Sequence, residues 1–163
     1  MTDARPGRKL PALLVYAAAM GWLEAVTVVY IRATMGFVPG QGLPSNPEVA
    51  RKFGEFPWFL ATEQGREAAT ILMLAAVAWL GGVTMRSRAG AFLFMFGVWD
   101  IVYYIGLYVL VGWPTSLATI DLLFLIPPSP WWYQPVWLPV SISVLFIIGG
   151  LGLMLTRTRP AAF

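Results

Sequence analysis

Four stretches of this chain are too long and too apolar to be at home in water. Residues 10–33 carry Glu24 and Arg32 as their only charges, and residues 57–85 carry Glu63, Arg66 and Glu67. Residues 91–112 carry Asp100, and residues 136–155 carry no charge. A helix of about 20 residues, rising 1.5 Å per residue, crosses the roughly 30 Å hydrocarbon core of a bilayer. Each stretch meets that length. The whole chain agrees: 58% of its 163 residues are hydrophobic and 12% are charged, against about 25% charged in ordinary soluble domains.

The fold expected is an all-α integral membrane protein of one domain. It is a four-transmembrane-helix bundle with a short interfacial or re-entrant helix on the outer side. Spans are expected at 10–33, 57–85, 91–112 and 136–155. The tight link 86–90 makes the second and third antiparallel neighbours. The basic N-terminus followed by small apolar residues resembles a secretory signal, but the apolar run is longer than a signal core.

Two segments lie between spans on the outer side. In residues 34–56, Ser45-Asn46-Pro47-Glu48 has the form of a capping box with proline at the first helical position, so a short helix is expected over Pro47–Phe53. In residues 113–135, Ser116 is expected to cap a ten-residue helix over Leu117–Ile126, too short to span. Trp131, Trp132, Tyr133 and Trp137 follow, an aromatic group of the kind that sits at headgroup level.

Loop charges set the orientation. Arg5, Arg8, Lys9, Arg86, Arg88, Arg157 and Arg159 fall on one side of a four-span arrangement. The positive-inside rule makes that side cytoplasmic, with both termini there, as in a bacterial-type cytoplasmic membrane. This asymmetry accounts for the formal charge of +3, so the charge is no argument for a nucleic-acid partner. The expected surroundings are the lipid bilayer and a larger membrane-protein complex.

The chain has no cysteine and no histidine. That excludes disulfides, thiolate metal sites and haem, zinc or copper held by His or Cys. A hard divalent cation held by carboxylates remains open.

Chemistry concentrates on a few polar residues inside apolar runs, where a charge is costly unless paired. Helical spacing puts Gly21, Glu24 and Thr27 on one face of the first span, and Glu63, Glu67 and Thr70 on one face of the second. Asp100, Tyr103 and Tyr104 share a face of the third. A convergent cluster in the outer half is expected. Glu24, Glu67 and Asp100 are the candidate acid/base groups or metal ligands, and Tyr104 is a further catalytic candidate. Arg32, Arg66 and Asp121 are candidate ligand-binding groups. Glu63 reads as an ordinary headgroup-level acid.

Two function classes follow. The first is an accessory subunit whose polar cluster locks the bundle at some cost in stability. The second is a small membrane enzyme, or a protein that binds a lipid-type or cationic ligand in an outward pocket. The small size, the lack of redox ligands and the weakly polar cytoplasmic half favour the first class, which is the principal expectation. Glu24, Glu63, Glu67, Asp100 and Asp121 outnumber Arg32 and Arg66, and these surplus acids favour the second as the alternative.

Overall fold

The computed structural model describes residues 9–36, 48, 51 and 54–156. Among them are α1 (Leu10–Thr34), α2 (Phe59–Gly81), α3 (Met85–Val111), strands β1 (Ile120–Leu122) and β2 (Tyr133–Pro135), and α4 (Trp137–Leu155). A 3-10 turn, Pro130–Trp132, leads into β2. Most of the helix expected over Pro47–Phe53 lies outside the described residues.

Three helices, α1, α3 and α4, are long and apolar enough to cross a membrane. Helix α2 has 23 residues, but Glu63, Arg66 and Glu67 in its first half lower its hydropathy. The four helices run alternately up and down. Lys9 Nζ, at the start of α1, donates to Leu80 O near the end of α2 at 3.3 Å. The Arg86 guanidinium at the start of α3 donates to Thr156 Oγ1 just past α4. These contacts gather one terminus of every helix at a basic end, and β1 and β2 cover the opposite, hairpin end.

Helix α3 is the central element. It packs most extensively on α4 and α1, and less on α2, while α2 and α4 scarcely touch. Small residues allow these close approaches, as lipid-embedded helices prefer. Gly21 of α1 lies against the backbone of Trp99, Gly97 of α3 against the backbone of Ser143, and Gly90 and Gly150 against each other. A core of Leu13, Ala17, Leu74, Ala78, Met95 and Phe94 joins α1, α2 and α3 towards the basic end. A second core, Ala25, Tyr104, Leu107, Trp113 and Val136, closes the hairpin end.

Two local expectations are corrected. Residues 86–90 are not a link but the first turns of α3, which is 27 residues long. The turn lies before them, because Thr84 caps the helix. Ser87 N donates to Thr84 Oγ1 at 3.2 Å, and Thr84 N donates to Ser87 Oγ at 2.9 Å. This reciprocal cap satisfies amides that a helix start would leave bare. At the other end Gly112, with φ 67°, stops α3 in the left-handed conformation that glycine adopts without a Cβ penalty.

The second correction concerns residues 117–126, which are not helical. The fold remains all-α in its architecture, with this short hairpin added to the helices. Ser116 and Thr119 close a local turn, with Thr119 N donating to Ser116 O and Ser116 N to Thr119 Oγ1, both at 3.1 Å. The chain then runs as β1 and pairs antiparallel with β2, Asp121 opposite Gln134. Leu123 N to Trp132 O, and Val136 N to Thr119 O, extend the pairing at 2.9 Å. A short apolar run fits helix or strand equally by pattern alone. The choice falls to the returning segment, which supplies backbone partners that a buried chain requires.

Candidate functional site

A cavity of about 260 Å³ lies at the hairpin-end half of the bundle, walled by all four helices and by residues 121–125. Every candidate residue lines it: Glu24 and Arg32 from α1, Arg66 and Glu67 from α2, Asp100 and Tyr104 from α3, and Asp121 from β1. Glu63 joins them and is buried, 7% exposed, unlike the headgroup-level acid expected.

Among the described residues the cavity's charges form two paired groups and leave two acids without a cation. Arg66 is the centre of the first group. Its terminal NH1 nitrogen donates to both Glu24 carboxylate oxygens at 2.6 Å, and its Nε donates to Glu63 Oε2 at 2.7 Å. Charge-assisted bonds of this kind are short and strong. In the second group, Asp121 Oδ2 accepts from the Tyr104 hydroxyl at 2.9 Å. Arg32 lies 3.8 Å from Asp121 Oδ1, with its guanidinium 3.8 Å above the Trp113 ring. The planar guanidinium suits both neighbours.

Among the described residues, Asp100 and Glu67 have only neutral donors. Ser143 Oγ, itself buried, donates to Asp100 Oδ2 at 2.8 Å. Leu125 N donates to Glu67 Oε2 at 2.9 Å, and Gln64 Nε2 donates to Leu125 O at 2.9 Å. This two-point clip ties the segment after β1 to α2. Polar contacts therefore hold the upper half of α2 to the rest of the bundle, whereas Leu74 and Ala78 hold its lower half by packing.

Several groups at the site were not singled out by sequence. Ser143 has no charge and lies in a span that reads as wholly apolar. Gln64, which holds Leu125 without itself lining the cavity, lies beside the expected face of α2. Trp99 lines the cavity, is 7% exposed, and its Nε1 has no hydrogen-bond partner among the described residues. Trp99 and Gln64 sit next to acids in the sequence, which is their only signal; Ser143 has none, because its span holds no acid. Conversely, Glu24, Glu67 and Asp100 do not form a metal cage. No group of three potential ligands among the described residues is close enough to hold a metal ion.

Asp121 lies outside the long helices, and burial pushes its carboxyl up from 3.8 to about 6, partly offset by Arg32 and the Tyr104 hydroxyl. The folded state thus holds a proton that the unfolded chain releases between those values. The associated stability is fully present below pH 3.8 and is lost as pH rises through about 6. Relative to an Asp121→Asn variant, the wild type is expected to lose unfolding temperature steadily across that window. Parallel curves for the two proteins would show that Asp121 titrates as it does in water.

No protein-family model matches the chain, and no curated protein or solved structure is significantly similar to it.

Proposed function

We propose that the chain is an integral membrane protein that crosses the bilayer four times and binds a small organic ligand with a cationic group in its cavity. The fourth crossing is α2. At about 1.5 Å per residue its 23 residues reach far enough, and its charges face the cavity rather than lipid. The basic end takes the cytoplasmic side by the positive-inside rule, which places the cavity in the outer half of the membrane.

One observation carries the binding reading: the imbalance of charge around an otherwise apolar cavity. Five carboxylates, Glu24, Glu63, Glu67, Asp100 and Asp121, meet two guanidiniums, Arg32 and Arg66. The paired groups account for three of the acids. Asp100 and Glu67 are left with neutral donors, and acids so placed take up a proton or a cation. An organic cation suits them better than a metal ion, because these carboxylates do not converge on a point. The same acids are also poised for acid and base work on a bound lipid-type substrate.

The competing reading is an accessory subunit of a membrane complex. The Glu24–Arg66–Glu63 group favours it as a lock between α1 and α2. That lock leaves the cavity, Asp100 and Glu67 without a purpose.

The deciding measurement is the mass of the particle released in mild detergent, with its components identified by mass spectrometry. A monomer or small homo-oligomer retaining an organic amine is expected. Asp100→Asn keeps an acceptor for Ser143, so it should fold normally and lose the amine. A large particle with reproducible protein partners and no retained small molecule would make the chain an accessory subunit.

A further inference from the structure

Resting on the binding reading above, we infer that the ligand is a long-chain amino alcohol or similar amphiphile, taken sideways from the outer leaflet between α2 and α4. The cavity is polar at one end and apolar at the other. Towards the hairpin end lie the Arg66 and Arg32 groups. One turn or more deeper on α3 lies Phe96, whose ring meets Phe146 of α4 at 5.7 Å and Phe124 at 6.4 Å. A head held at Asp100 with a chain running past Phe96 has the orientation of an outer-leaflet lipid: head outward, tail towards the midplane.

The side opening follows from the packing. Helices α1 and α4 grip α3 through Gly21 and Gly97, and α2 rests on α3 through Leu74 and Ala78. Nothing comparable joins α2 to α4. The Leu125 clip to Glu67 and Gln64 ties the segment after β1 to α2, near the hairpin end. Ile142 of α4 lines the cavity on that side and is 38% exposed.

The head chemistry is narrowed by a donor that lacks an acceptor. Trp99 Nε1, from the residue before Asp100, is buried without a partner among the described residues. Leaving such a donor unpaired is costly. An ammonium paired with Asp100 has no acceptor to offer. A neighbouring hydroxyl oxygen supplies one.

The test uses the full chain in phosphatidylcholine vesicles and a dodecyl amino alcohol carrying a diazirine at the far end of its chain. Light expels dinitrogen, and the carbene inserts into a nearby C–H bond, forming one C–C bond and leaving a mass tag. Saturable labelling at Ile142, Phe96 and Phe124 is expected, suppressed by excess unlabelled amino alcohol and not by dodecanol. Asp100→Asn should reduce that labelling about tenfold or more, as when a buried charge loses its partner. Saturable, Asp100-dependent labelling that falls instead on Val28 or Ile31 of α1 would overturn the route between α2 and α4 and leave the binding reading standing. Equal suppression by dodecanol would overturn the amine head. Labelling spread over Val144, Leu145 and Ile148, with no saturation, would overturn the lateral amphiphile; if butylamine then also fails to change the fluorescence of the purified protein, the binding reading falls with it.

Discussion

Arg66→Met is expected to lower the unfolding temperature in detergent by roughly 10 °C, following a loss of about 3–5 kcal/mol. Arg66 satisfies two carboxylates from two helices, Glu24 of α1 and Glu63 of α2. Methionine preserves the length and bulk of the side chain and removes the charge. Glu24 and Glu63 would then face each other in a half-buried site with no cation between them. The cost of breaking such a group lies mainly in the charges it strands rather than in the bonds it loses. A second substitution separates these terms. Glu24→Gln added to Arg66→Met removes one stranded charge and should recover a large part of the lost temperature. A shift under about 2 °C for Arg66→Met alone would mean that water already screens the group, and the lock between α1 and α2 would lie elsewhere.

Gly97→Ala is expected to damage both the fold and the cavity. A Cβ at this position would overlap the carbonyl oxygen of Ser143, with Ile147 Cγ1 also too close at 2.8 Å. Backbone cannot rotate out of the way as a side chain can, so α4 must shift off α3. Overpacking of this kind costs about 1–3 kcal/mol. The same shift carries Ser143 away from Asp100 and opens the 2.8 Å bond between them. Ligand retention should therefore fall together with the unfolding temperature. Gly149→Ala is the control, because a Cβ there meets nothing within 4 Å and alanine favours the helix by up to about 1 kcal/mol. If the two alanine variants behave alike, α3 and α4 are not held at the separation described.

Much of this molecule was legible in the residues themselves. Apolar runs of spanning length set α1, α3 and α4, because no other arrangement satisfies so long an apolar backbone in lipid. Gly112 and the proline after Trp113 mark the end of α3. Positions three and four apart placed Glu24, Glu67 and Asp100 each on a coherent helical face, since a 3.6-residue repeat leaves little freedom in which way a side chain points. Pairing between elements is another matter. Tyr104 lies one turn from Asp100 yet donates to Asp121, which arrives from a strand that no pattern distinguished from a helix. Asp100 is served by Ser143, a small hydroxyl in an apolar span, because the Gly97 contact brings α4 that close. Glu67 is served by the backbone of Leu125, and a main-chain donor carries no mark in the sequence. Local periodicity decides which way a residue faces. Which partner it meets depends on how the helices cross and where the hairpin folds back, and these are set by the packing of the whole chain.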